Sequence, residues 1–237
     1  MRKTFFLWRL ICIVVCLAAW PVLAQDVWNS KPYTQWAKED IVKIISDSPW
    51  AQVRQPTDSV GALAAVTLRL RSSLKIRQAL VRVKQIEAKY DKMNDKDRAA
   101  FDARMKGTLD CPACADNYVL SIGPPINSNP NQRPLPSGVM ALRNATLAIL
   151  EKNVFLSTEK GEKRPLVHFI APKQETDDAM FFFPRFDDKG QPLLSPDSKK
   201  LIVNFNVGGL PGSQGMTLPS LYNFDVSKIL VDGKVDF

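Results

Sequence analysis

Cys111-Pro112-Ala113-Cys114 is the constellation in this sequence whose residue types and spacing carry the most defined chemistry. Two thiols separated by two residues can oxidise to a disulfide, cycle as nucleophile and resolving thiol, or supply half of a soft-metal site. Ala115 stands where a haem attachment site has histidine, and zinc would need two further ligands that no nearby histidine supplies. An oxidoreductase sets its first cysteine at the start of a helix, where the dipole lowers the thiol pKa. Here Cys114 is followed within three residues by the strand-like run 117–122, so the motif sits at a helix-to-strand corner. It is read as a structural disulfide, Cys111 to Cys114, with an active redox pair on the same two residues as the alternative.

The remaining chemistry is sparse. His168 is the single histidine of the chain, which removes every mechanism or metal site that needs two imidazoles. It lies in a predicted strand, 166–171, on one face with Leu166 and Ile170, and is read as structural or half-exposed. No G-x-S-x-G occurs, and the glycine-rich run 209–215 has Pro211 where the first glycine belongs and lacks the lysine of a phosphate loop. The adjacent carboxylates Asp177-Asp178 and Asp187-Asp188 lack the spaced oxygens of a calcium loop and are read as turn residues. No cofactor and no metal is expected.

Stepping outward to composition, the 237 residues are 45% hydrophobic and 24% charged with 11 Gly and 17 Pro, which excludes disorder and collagen-like repetition. Residues 1–24 read as a secretory signal: Arg2, Lys3 and Arg9 precede an apolar stretch at 10–20, and Val22-Leu23-Ala24 forms a small-residue cleavage site. That stretch is short of the roughly 20 residues a spanning helix needs. Cleavage near Ala24 removes Cys12 and Cys16 and leaves a mature domain, 25–237, with a net charge of +5 in place of +8. The expected location is the periplasm or the exterior. The expected partners there are an envelope protein, a cell-wall polymer or an anionic surface, with no nucleic acid and no integral membrane segment once processed.

The elements that must hold these residues follow from periodicity. Ala37, Ile41, Ile44 and Ile45 predict a helix over 35–47, capped by Thr34 and stopped by Pro49. Val66, Leu68 and Leu70 alternate with Thr67, Arg69 and Arg71, predicting a strand with one wet face. Ile76, Leu80, Val83 and Tyr90 predict a second helix. Asn94 with Asp97 predicts the start of a third that carries Phe101 and Met105 and ends near Gly107. The proline-rich run 123–137 reads as a long surface loop at which the domain could subdivide, followed by a helix from Ser137 through Val139, Leu142, Thr146 and Ile149. Strands are then predicted at 154–157, 166–171, 179–186, 201–207 and 224–231, with a two-residue hairpin turn at Asp232-Gly233. Helices gathered in the N-terminal half and strands gathered late give an α+β fold with a mostly antiparallel sheet or sandwich core.

Four further residues are binding candidates. Trp36 and Trp50 flank the Pro49 stop, and they would serve as a sugar platform only with a ring face exposed; core packing is the competing reading. Arg82 and Lys89, one heptad apart, belong to a basic run over 69–92 with eight cations against two anions, read either as a solvated face or as an anionic docking surface.

Trp36-Ala37-Lys38-Glu39-Asp40-Ile41, Ser48-Pro49-Trp50-Ala51, the Cys111–Cys114 motif leading to Tyr118-Val119, and Phe182-Phe183-Pro184-Arg185 together resemble a group of uncharacterised exported proteins of acidobacterial type. The Trp36 segment also resembles GWxTD-domain proteins, although the Gly-Trp-x-Thr-Asp string itself is absent. The resemblance implies export and a common architecture, and it carries no catalytic residues. The function expected from the sequence is a non-enzymatic binding or envelope-assembly protein, with thiol-disulfide exchange as the alternative.

Overall fold

A computed structural model describes residues 26–54, 65–126, 138–207 and 218–237. The signal stretch, the glycine-rich run 209–215, the Ser137 cap and most of the proline-rich run lie outside these residues. The chain divides into two units, Met1–Pro32 and Tyr33–Phe237. Among the described residues of the first is a short helix, α1 (Val27–Ser30), in which Ser30 Oγ donates to the Val27 carbonyl at 3.1 Å.

In the second unit, α2 (Lys38–Ser46) buries Ile41, Ile44 and Ile45 along one stripe. Its N-cap is Ala37 in place of Thr34, because Asp40 does the capping: the Ala37 amide donates to Asp40 Oδ2 at 2.8 Å, and the carboxylate also opposes the positive end of the helix. Pro49 stops the helix as expected, and the chain turns there between β1 (Asp47–Ser48) and β2 (Ala51–Arg54). The next strands are β3 (Val66–Leu70), β4 (Asn117–Gly123), β7 (His168–Ile170) and β8 (Ala179–Pro184). They complete a six-stranded sheet in the order β1-β2-β3-β4-β8-β7. A four-stranded sheet, β10-β9-β5-β6, is built from β5 (Val154–Thr158), β6 (Lys163–Pro165), β9 (Lys200–Phe205) and β10 (Leu221–Asp225). All pairings are antiparallel, and five helices and twelve strands among the described residues give the expected α+β fold, with most helices in the N-terminal half.

One face of the larger sheet, with Leu120, Tyr118, Phe181 and Phe183, forms the buried core with the smaller sheet; Phe181 meets Phe205 of β9 edge to face at 5.1 Å. The other face of β3 and β4 is covered by helices α2, α3 (Leu74–Glu87) and α4 (Asp95–Asp110). The predicted wet face of β3 is therefore dry, since all five of its residues are buried. Alternation reports which side chains share a face, and it does not report what covers that face.

Arg69 resolves the resulting conflict. Its side chain is 2% exposed, and each guanidinium nitrogen has an acceptor: Nε donates to the Ile45 carbonyl at 2.9 Å, Nη2 to the Pro124 carbonyl at 2.8 Å, and Nη1 to Asp178 Oδ1 at 3.1 Å. Ser121, paired with Arg69 across β3 and β4, donates to the other oxygen of the same carboxylate at 2.7 Å. Gly123 makes room for this group, because a Cβ there would fall on the Asp178 carboxylate.

The far end of the chain is stapled into the same body. Asp236 accepts from Ser73 Oγ at 2.6 Å and from the Leu74 amide at 2.8 Å, adding a remote carboxylate to the Ser73 cap of α3. Phe237 stacks on Tyr118 at 5.0 Å between ring centroids, and its carbonyl accepts from Arg185 Nη1 at 2.7 Å.

Several predicted elements differ in extent. The second helix ends at Glu87, with Tyr90 in a separate 3-10 turn, and the third runs past Gly107 to Asp110. In place of one helix after Ser137 there are a 3-10 turn, Gly138–Leu142, and the four-residue α5 (Leu147–Leu150). The predicted strand 166–171 is shortened to β7, because Leu166 and Val167 carry the chain from β6 in the smaller sheet to β7 in the larger; Leu166 is buried and His168 exposed. The run 224–231 is likewise broken by a 3-10 turn, Val226–Ile229, before β11 (Leu230–Val231) pairs with β12 (Lys234–Val235). Asp232 and Gly233 make that hairpin turn with φ of 50° and 72°.

Asp178→Ala should destabilise the fold by about 3 kcal/mol, because it strands a buried guanidinium. Gly123→Ala should approach the same loss by displacing the carboxylate. Urea unfolding checks both, and a wild-type midpoint for Asp178→Ala would show that the ion pair does not hold this region together.

Candidate functional site

Thr67, Arg69 and Arg71 leave β3 and its C-terminal extension on the same side, toward the helices. The helices do not close completely over them. A cleft of about 530 Å³ remains, floored by Arg69 and Arg71 and walled by Leu80 and Val83 of α3, Met105 and Thr108 of α4, and Pro124 and Ile126 beyond β4. Asp177 and Asp178, just before β8, form another side.

The frame around this cleft is fixed. Ser73 accepts from the Lys75 and Ile76 amides at 3.1 and 3.4 Å, setting where α3 begins. Asn94 accepts from the Asp97 amide at 2.9 Å, the cap predicted for α4. Arg77 of α3 donates to the Leu109 carbonyl, placing a cation at the negative end of α4 and tying the two helices together.

Within this frame the charges are unequal. Arg69 is fully engaged, Lys84 pairs with Glu87 at 2.8 Å, and Asp177 accepts from the Lys173 and Gln174 amides at 3.0 and 2.9 Å. Arg71 is half-buried, and its guanidinium donates no hydrogen bond to any described residue. Burial pushes its pKa down, Asp178 pulls it up and Arg69 pushes it down again, yet an arginine starts high enough to stay charged. Among the described residues the lining offers hydroxyls only from Thr108 and Thr176, with no histidine or thiol to activate them.

Cys111 and Cys114 lie elsewhere, at the corner between α4 and β4, bonded to each other with their Cα atoms 5.3 Å apart. Cys111 caps the C-terminal end of α4 in the left-handed conformation, φ 44°, with its amide donating to the Gly107 carbonyl at 3.1 Å. The sixteen-residue helix therefore turns its negative pole toward this sulfur, the reverse of the polarity that activates a redox thiol. Arg185 donates to the Cys114 carbonyl from Nε and Nη2 at 3.2 and 3.1 Å and lies over the Tyr118 ring, so the corner is built into the fold.

The other sequence candidates are not brought together. Trp36 and Trp50 are each 1% exposed, which leaves no ring face for a sugar. Arg82 is buried, donating to the Trp36 carbonyl at 3.2 Å and to Gln85 Oε1 at 3.2 Å, whereas Lys89 lies past the end of α3 with φ 54°. They share no exposed face, and with Arg69 and Arg82 buried the basic run over 69–92 does not form one continuous surface. His168 packs against Phe182 at 4.9 Å on the outer side of the β7 edge, with the exposed Ile170 beside it. Asp187 accepts from the Lys189 and Gln191 amides at 2.9 and 2.8 Å, as a turn residue should; these bonds hold its carboxyl below the usual range.

Asp178 departs from the turn reading given to its pair, and Arg69, Arg71 and Asp178 were not singled out by sequence reasoning. The available signal was an arginine at alternate positions of an otherwise apolar strand, which reads equally well as a solvated face. No family model, curated protein or solved structure matches this chain, and nothing in those comparisons bears on the resemblance to exported acidobacterial-type proteins.

Replacing both Cys111 and Cys114 by serine should cost about 2 kcal/mol, the entropy of the very short loop they close. After reduction, Cys111 should alkylate with a pKa at or above about 8.5. Alkylation followed against pH checks this, and rapid reaction of Cys111 well below pH 7 would make the pair a redox centre.

Proposed function

We propose that this chain is an exported, non-enzymatic binding protein whose ligand carries one anionic group seated on Arg71. The observation that carries the reading is the half-buried Arg71 guanidinium, which faces a largely apolar cleft and has no described hydrogen-bond acceptor. A guanidinium kept from water and left without an acceptor costs stability, and a bound carboxylate or similar anion would offset that cost with two parallel charge-assisted hydrogen bonds. Each such bond contributes about 1.5–3 kcal/mol.

Arg69 and Arg71 thus have opposite roles although both rise from the same strand. Removing Arg69 should harm folding, because its three acceptors are left unpaired. Removing Arg71 should leave stability unchanged or raise it, because burying its charge costs more than its attraction to Asp178 returns, and no described acceptor depends on it. Export itself is read from residues 1–24, which supply the positive end, apolar stretch and cleavage site of a signal.

Hexanoate and hexylammonium test the site as two small probes of opposite charge. Hexanoate should shift the Met105 methyl resonance and hexylammonium should not. Arg71→Met should weaken hexanoate by about tenfold or more while keeping the urea midpoint at or above wild type. Equal binding of the two probes, or an Arg71→Met variant that unfolds early, would overturn the assignment.

A further inference from the structure

Beside the arginine cleft lies a second hollow of about 320 Å³, between α2 and α3. Ile41 and Val42 line it from α2, Ile86 from α3, and Val83, Glu87 and Ile126 line both hollows. The exposed Lys38 completes the second lining, so its walls are otherwise aliphatic apart from Glu87. The Glu87 carboxylate is turned to Lys84 at 2.8 Å and its side chain is 58% exposed, so it stands over the junction without filling it. Ile86 is 39% exposed, an aliphatic side chain left open on a helix whose opposite stripe is buried.

We infer that the two hollows hold a single ligand, a single-chain amphiphilic carboxylate, with its head on Arg71 and its alkyl chain passing Val83 and Ile126 into the hollow between α2 and α3. The inference rests on the anion-binding reading of the cleft and adds the ligand's shape and class. Three observations support it. The hollows share Val83 and Ile126 from two different elements, so they adjoin along an apolar edge. Each has the size of a small-molecule site, which runs from roughly 300 to 1,000 Å³. The Arg71 guanidinium, without a hydrogen-bond acceptor among the described residues, lines the first hollow, and the second is mostly aliphatic, matching a molecule charged at one end and apolar along the rest.

The same charges select against other anions. Asp177 and Asp178 line the first hollow with Arg71, and Glu87 lies at the junction. With Asp178 paired to Arg69 and Glu87 to Lys84, a phosphate ester or polyanion brings two or more charges to Arg71 alone, beside the Asp177 carboxylate. A monocarboxylate brings one charge and leaves the rest of its surface to the aliphatic walls, where each buried methylene strengthens binding.

The test compares hexanoate, dodecanoate below its micelle-forming concentration, and dodecyltrimethylammonium on the purified protein by calorimetry, with methyl resonances reporting location. Dodecanoate should bind at least about 100-fold more tightly than hexanoate. It should shift Ile41 and Ile86 in addition to Met105, whereas hexanoate should shift Met105 alone. Val42→Asp, a change at a half-buried site in the second hollow, should remove most of the chain-length gain and leave hexanoate binding at its wild-type strength. If hexanoate and dodecanoate bind equally and Val42→Asp changes neither, the ligand does not extend into the second hollow and the inference fails while the anion site stands. If neither carboxylate binds, both readings fail together. If dodecyltrimethylammonium binds as tightly as dodecanoate, the head group is not read by Arg71 and the carboxylate assignment is overturned.

Discussion

A guanidinium placed in the dry middle of a sheet must find acceptors in fixed directions, and the three that Arg69 finds come from three parts of the chain. The Ile45 carbonyl belongs to the last turn of α2, the Pro124 carbonyl to the segment leaving β4, and the Asp178 carboxylate to the approach to β8. One side chain thereby sets the height of a helix over the sheet, the exit direction of a strand and the position of a loop. Ion pairs of this kind are costly to desolvate and add little net stability by themselves. Their consequence is geometric, since the same nitrogens tie α2 and the 172–178 loop to one point of the sheet.

The cleft follows from that geometry. With α2 held against Arg69 and α3 launched from Ser73, the helices leave Arg71 lining the cleft beneath α3 and α4. Two arginines separated by one residue thus divide into a structural cation, whose hydrogen bonds are complete, and a second that makes none to the described residues. Sites for ligands commonly carry such local costs, and the surrounding frame sustains them.

The sequence made the elements legible where a local signal was also the physical cause. Pro49 stops α2, Asn94 caps α4 through Asp97, and Asp232-Gly233 turns the last hairpin, because each acts within a few residues of itself. It was silent where the cause was distant. The shortening of 166–171 to β7, after a crossing from the smaller sheet, depends on which neighbours β6 and β7 find, and neither neighbour is encoded in the local alternation. Arg69 and Asp178 are 109 residues apart, and without the fold in view the first reads as a wet strand face and the second as half of a turn. The disulfide corner was legible from spacing, whereas the polarity of the helix behind Cys111 needed the helix to run three residues beyond Gly107.

The staple at residues 236 and 237 bears on the order in which the molecule can be made. Ser73 and Asp236 are 163 residues apart, so the start of α3 receives its second cap only after nearly everything between them has been synthesised. Until then Tyr118 also lacks the ring that stacks on it and Arg185 lacks one of its acceptors. A growing chain can form local turns and single helices, but the contacts that close the body come last and span most of its length. Such closure is slow, because a loop that spans most of the chain must be closed before its contacts reward it.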